Sequence, residues 1–173
     1  VHSNIGFVYS AKKEYEQALE HFHVAAEKAP ENTQNLIFLG GTYLAMGDQA
    51  KAMEWYKKAE EKKSDFYVTN QIADIARISN DYKTAEVYYR KAIGHDATQP
   101  LPHLYLGTFL ALDKKDDEAI KHCYKFIQLD KEKVALSIAK NLIKETLDKA
   151  PNAEEFFKEV ITSNPDEALA HFY

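Results

Sequence analysis

The chain has 173 residues, 45% hydrophobic and 28% charged, values of a folded protein that exclude wholesale disorder. Its formal net charge of −5 removes the basic face that a nucleic-acid binder needs, so no nucleic-acid partner is expected. No stretch approaches the roughly 18 apolar residues of a membrane span and no basic-then-apolar signal opens the sequence, so no membrane insertion is expected and the location reads as cytoplasmic.

Val1 to Ser10 reads as the back of a first helix. Tyr15 to Ala29 carries Ala18, Leu19, Phe22, Ala25, Ala26 and Ala29 at the i, i+3, i+4 rhythm of an amphipathic helix. Pro30 stops it, and Asn32 or Thr33 can cap the next. Asn32 to Met46 repeats the rhythm through Leu36, Leu39, Tyr43 and Leu44; Gly47-Asp48 punctuates, and Gln49 to Lys62 forms the partner helix. A third pair is expected over Phe66 to Ser79, capped by Ser64 or Asp65, and Tyr82 to Gly94. The fourth runs from about Gln99 to Leu112 and from Asp116 to Leu129. Helices this short, joined by a few polar residues, must lie as antiparallel neighbours. After Asp130 the pattern loosens. Lys131 to Lys149 is expected as one longer helix, Ala153, Phe157 and Val160 recover the second-helix spacing, and Asn164-Pro165-Asp166-Glu167 starts a further helix.

One skeleton runs through these pairs. Gly6, Gly40, Ala73 and Gly107 recur at intervals of 34, 33 and 34 residues, each followed twelve residues later by Ala18, Ala52, Ala85 and Ala119. A fixed period of this size marks stacked helix pairs that cannot bury their apolar faces alone. Where two helices of a pair cross closely, one side must be nearly bare, which is the role of the Gly and Ala positions. Four residues after the alanines, Phe22, Tyr56 and Tyr89 are expected to fill the wedge between successive repeats, while Ala25, Ala59 and Ala92 let the next helix close in. On Leu36, Leu39-Gly40, Tyr43, Ala52, Tyr56 and Ala59, and on Ile5-Gly6, Tyr9, Ala18, Phe22, Ala25 and Pro30, the sequence resembles the tetratricopeptide repeat (TPR) family. The family's closing Pro is Ser64 in the second repeat and Lys131 in the fourth. In the fourth, large and small positions are exchanged, with Cys123 where an aromatic belongs and Phe126 where Ala belongs, so a change of superhelical curvature is expected there.

The resemblance implies an all-α fold, a right-handed α-solenoid of about four to five stacked TPR hairpins with partial repeats at the ends. It is expected as a single array over 1–173, with repeats roughly at 1–30, 31–64, 65–98, 99–130 and 131–164 and a partial repeat at 165–173. It also implies that the first helix of each pair lines a concave groove. The candidate partner-binding residues are then Asn4 and Phe7; Ile37, Phe38 and Gly41; Asn70, Gln71, Asp74 and Arg77; and Leu104, Tyr105 and Thr108. Phe7, Ile37, Phe38, Leu104 and Tyr105 are more apolar than a solvated face should be, unless some turn inward to pack between repeats. Asn70, Gln71, Asp74 and Arg77 make a polar centre whose amides suit an extended backbone. Many members of the family grip the C-terminal carboxylate of heat-shock chaperones with Lys and Asn. Here Phe7 and Phe38 stand at the two Asn positions and Asn70 and Asp74 replace a basic pair, so the resemblance does not extend to that clamp.

Chemistry is not expected. His21 and His23, two apart on a helix, point roughly 200° apart and cannot chelate together; His122 and Cys123 diverge likewise, and His103 and His171 fall at an aromatic packing position. Cys123 is alone, which excludes an internal disulfide, and belongs to a buried side where a thiol is a small hydrophobe. No phosphate loop, nucleophile elbow or zinc spacing occurs, so no catalytic residue, metal or cofactor is expected. The expected work is that of an adaptor holding a protein or peptide ligand. The alternatives are a regulatory segment of a larger enzyme, or a homo-oligomer formed through the apolar part-repeat ends.

Overall fold

The structure, a computed structural model, describes residues 1–129; the longer helix, the fifth repeat and the last helix start expected after Asp130 lie outside them, as does His171. The described residues form helices α1 (His2–Ala11), α2 (Tyr15–Lys28), α3 (Thr33–Ala45), α4 (Gln49–Lys62), α5 (Phe66–Ile78), α6 (Tyr82–His95), α7 (Pro100–Leu112) and α8 (Asp116–Leu129), with no strand among them. The chain divides into two compact units, Val1–Asp96 and Ala97–Tyr173. The division falls close to the boundary expected between the third and fourth repeats.

In the first unit each helix packs on the next, from α1 through α6, and α1 also touches α3. Ala18, Ala52 and Ala85 are all completely buried, as are Tyr56 and Tyr89. The aromatic rings do two jobs at once. A Cβ on Gly6 would lie 2.7 Å from Phe22 Cε1, and one on Gly40 would lie 3.0 Å from the Tyr56 ring. Each ring therefore sits on the bare position of its own hairpin. It also reaches the next repeat: Phe22 stacks on Phe38 at 5.0 Å and Tyr56 meets Tyr67 edge-on at 6.5 Å. Of these two jobs only the second, filling the wedge between repeats, is expected from the sequence.

Buried Asn35 joins three helices. It accepts from Ser3 Oγ at 2.9 Å and donates to the Ala25 carbonyl at 3.0 Å, so its burial leaves neither end unpaired. On the second helices, Glu60 of α4 accepts from Tyr88 Oη and Lys91 Nζ of α6, each at 2.8 Å, tying successive repeats together.

In the second unit α7 packs on α8. Gly107 has Cys123 Sγ 2.6 Å from where its Cβ would be, so the small thiol takes the place of the ring. Phe126 fills the compensating position against Leu104 and Ile127. The volume exchange read from the sequence is thus present; the curvature expected from it depends on residues outside those described.

All four hairpins turn in the same way. Lys13, Gly47, Asn80 and Lys114 have φ of 64°, 83°, 60° and 59°, at the same 34, 33 and 34 intervals as the glycine series. Each donates its N–H to the carbonyl three residues back, and the following Glu14, Asp48, Asp81 and Lys115 donate to Tyr9, Tyr43, Ala76 and Leu110. That pair of bonds is the Schellman ending of a helix, which requires the left-handed conformation at this one position. Gly47 adopts it freely and Asn80 tolerates it; the two lysines adopt it against a cost of about 1–2 kcal/mol.

The residue after each left-handed position starts the second helix. Asp48 accepts from Lys51 N at 3.0 Å and Asp81 from Thr84 N at 3.2 Å. Asn32 and Asp65 cap α3 and α5 in the same way. The backbone bond from Lys51 holds the Asp48 carboxyl below its ordinary value of 3.8, and the side chain and backbone of Thr84 do so for Asp81. Carboxyls depressed in the folded state stabilise it above about pH 4, and that contribution is lost as pH falls through their folded values. The double variant Asp48→Asn, Asp81→Asn keeps both caps but not the charges. Its melting temperature should fall below that of the parent near neutral pH and converge with it in strong acid. A gap that stays constant across the titration would show that these carboxyls are not linked to folding.

Candidate functional site

The outward faces of α1, α3 and α5 enclose a cavity of ≈ 320 Å³ lined by Phe7, Ser10, Phe22, Gln34, Ile37, Phe38, Gly41, Thr42 and Tyr67. Phe38 forms its floor because its ring is held on one side by Phe22, at 5.0 Å, and meets Phe7 at 6.4 Å on the other. Gly41 adds no side chain, which keeps the floor low; a Cβ there would only touch Tyr56 Oη at 3.5 Å. Thr42 turns its hydroxyl back to the Phe38 carbonyl at 2.8 Å and so presents its methyl. Phe7 and Tyr67 are the walls, 61% and 50% exposed.

Four of the candidate groove residues therefore meet at one place: Phe7, Ile37, Phe38 and Gly41. Asn4 is exposed on α1 and does not line the cavity. Sequence reasoning missed Ser10, Gln34, Thr42 and Tyr67, and placed Phe22 only between repeats. Ser10 lies one turn after Phe7, and Tyr67 one turn before Gln71, so the helical period held the signal for both.

The polar centre on α5 is arranged differently from the expectation. Asp74 is its hub, accepting from Tyr89 Oη at 2.6 Å and from Asn70 Nδ2 at 2.9 Å, with Arg77 Nε 3.6 Å away. Arg77 Nε also donates to Tyr89 Oη at 3.2 Å. Burial first, and then the bond to Asp74, push the Tyr89 phenol well up, so it stays a donor at any ordinary pH. Since a carboxylate only accepts, Asn70 must turn its NH₂ towards Asp74, leaving its carbonyl oxygen facing away. Gln71 Nε2 lies 3.1 Å from Tyr67 Oη and braces that wall. These side chains hold one another first.

In the second unit Leu104 is only 5% exposed and packs on Phe126. Of the two orientations the sequence leaves open for this apolar position, the side chain takes the inward one, against Phe126. Tyr105 and Thr108 are half-buried, and Thr108 Oγ1 donates to the Leu104 carbonyl at 2.9 Å.

Among the described residues His2, His21, His23, His103 and His122 pack against other rings, four of them as two pairs, while exposed His95 meets Ser64 Oγ at 2.9 Å. His21 stacks on Tyr9 at 5.5 Å, and its Nδ1 is 3.3 Å from His2 Nδ1. His23 meets Trp55 edge-on at 5.3 Å. His103 Nε2 is 3.2 Å from the Ala97 carbonyl and its Nδ1 is 2.9 Å from His122 Nδ1. The carbonyl accepts only, so His103 carries its proton on Nε2 and His122 donates between the rings. Burial holds His103 below its ordinary value, which favours this neutral form. Among the described residues no three His, Cys, Asp or Glu side chains could hold a metal ion. Burial pushes the Cys123 thiol up to about 12, so no thiolate is available there at neutral pH. No helix among the described residues is long and apolar enough to cross a membrane.

Residues 7–77 match the profile of "Regulator of microtubule dynamics protein 1-3", and residues 69–98 match a tetratricopeptide repeat profile. Several solved structures share the fold at low identity. YrrB, described as a TPR protein with an unusual peptide-binding site, is 19% identical, with a TM-score of 0.74 over 99% of this chain and 89% of that one. MamA from Desulfovibrio magneticus RS-1 is 17% identical, with a TM-score of 0.75 over 96% of this chain and 95% of that one. A tetratricopeptide repeat protein from Parabacteroides merdae is 14% identical, with a TM-score of 0.76 over 98% of this chain and 68% of that one.

Proposed function

We propose that the chain, which shares its fold with tetratricopeptide-repeat proteins and matches one repeat profile, is a non-catalytic scaffold that holds a peptide or helix of a partner on the first-helix face of residues 1–96, within a multiprotein assembly. The observation that carries this reading is the cavity between α1, α3 and α5, walled by two exposed aromatic side chains. Exposed aromatic residues around a concavity are costly in water and are what interface centres are made of. The peptide-binding site in the description of YrrB, a protein of the same fold, supports the same reading. Asn70, Gln71, Asp74 and Arg77 act here as a frame for α5 and Tyr67 more than as direct contacts.

A photo-crosslinking phenylalanine analogue placed at position 7 or 67 tests the proposal in source cells. A discrete polypeptide adduct is expected from both positions and not from position 87, where Val87 lies exposed on a second helix. Adducts from position 87 alone would move the partner to the second-helix face and sink the proposal.

A further inference from the structure

Charge is segregated along residues 1–96 in a way that bears on what the cavity accepts. Helices α1 and α3 contain no Asp, Glu, Lys or Arg, and α5 contains only Asp74 and Arg77. Every other charged helical residue of this unit lies on α2, α4 or α6. The two exceptions are spent on each other: Asp74 has one carboxylate oxygen on Tyr89 and the other on Asn70, with Arg77 alongside. The face that carries the cavity is therefore electrically neutral and already internally paired.

Resting on the scaffold reading above, we infer that the partner of this face is an uncharged, extended peptide segment that anchors an aromatic side chain in the cavity walled by Phe7 and Tyr67. A carboxylate or ammonium group entering here would lose its water and find no opposite charge, which costs far more than the contact returns. An aromatic ring loses little and gains contact with Phe7, Phe38 and Tyr67. The cavity of ≈ 320 Å³ stands at the small end of ligand sites, which span about 300–1,000 Å³, so it receives an anchor residue and not a whole helix. At the rim, the Gln34 amide and the Ser10 hydroxyl line the opening and can pair with the backbone of an extended segment, whose groups need partners once water is displaced.

Panning a random dodecapeptide display library on the immobilised 173-residue chain tests this. The enriched peptides should share Phe, Tyr or Trp and lack a net charge. A synthetic consensus peptide with both termini blocked should bind about tenfold or more weakly to Phe7→Ala and to Tyr67→Ala, and equally well to Val87→Ala. All three positions are exposed, so the variants should melt with the parent. Its affinity should hold between about 0.1 M and about 1 M salt, because no ion pair is there to be screened. Enrichment of acidic or basic peptides, loss of binding in salt, or no enrichment at all would overturn the inference. If charged peptides are selected while positions 7 and 67 still crosslink to a polypeptide, the inference fails and the scaffold reading stands. If crosslinking comes only from position 87, both fall.

Discussion

Tyr56→Phe should leave the protein as stable as before or more stable by up to about 1 kcal/mol, whereas Tyr89→Phe should cost about 1.5–3 kcal/mol. The two tyrosines occupy the same place in successive repeats, and both are completely buried. Their rings do the same work, so the phenylalanine variants remove only the hydroxyls. Tyr56 Oη is buried and makes no hydrogen bond of good geometry, although Tyr67 and Gln71 are polar neighbours of it; burial, and after it Tyr67, push this phenol up. Deleting a polar atom that folding strips of water and does not re-pair costs nothing. Tyr89 Oη donates to Asp74 at 2.6 Å and accepts from Arg77 at 3.2 Å, so its deletion leaves a carboxylate short of a donor. Tyr56→Ala serves as the control for ring loss and should cost about 3–5 kcal/mol. Guanidinium titrations read all three through the midpoint, provided the slope is unchanged. Equal losses for the two phenylalanine variants would mean that the Asp74 network does not stabilise α5.

Because Asp74 sits beside Asn70 on the face where a partner is proposed to bind, Tyr89→Phe also bears on function. It should loosen the orientation of Asn70 without touching the cavity walls. The repeat period was legible because small residues are forced at a helix crossing, and Gly6, Gly40, Ala73 and Gly107 obey that geometry wherever the chain is read. The apolar wall of the site was half legible for the same reason: Phe7, Ile37 and Phe38 stand out on first helices. Tyr67 was legible only through the helical period, one turn before Gln71, because a tyrosine in a first turn does not stand out as apolar. Whether Leu104 faces the groove or the core was not legible, because both orientations suit an apolar residue; in the structure it packs against Phe126, the large residue of the exchanged pair. The four left-handed turns were hidden by composition. Gly47 announces the conformation, but Lys13 and Lys114 hold it through the helix-ending hydrogen bonds alone. The internal bonding of the polar centre on α5 was not legible, because residue type gives capacity for hydrogen bonding and not its allocation, and Asp74 takes the Asn70 amide.

The three glycines of the period should respond differently to the same methyl group. Gly→Ala in a helix is worth about 1 kcal/mol in propensity, and overpacking costs about 1–3 kcal/mol; the neighbours decide which wins. At Gly40 the new Cβ would lie 3.0 Å from the Tyr56 ring, and the third repeat already carries an alanine, Ala73, at the equivalent position, with both Ala73 and Tyr89 completely buried, so Gly40→Ala should be close to neutral. At Gly6 the contacts are 2.7 and 2.8 Å, all to the Phe22 ring, so Gly6→Ala should destabilise and Phe22→Leu should relieve it in a double-mutant cycle. At Gly107 the Cβ would meet Cys123 Sγ at 2.6 Å but also the Ala119 carbonyl oxygen at 3.2 Å and Cys123 N at 3.3 Å. Shrinking the thiol leaves the backbone contacts in place, so Cys123→Ala should rescue Gly107→Ala only in part. Melting temperatures of the singles and pairs check the series. Complete rescue at Gly107, or none at Gly6, would show that the crossing distance is set by something other than the residue seated on the glycine.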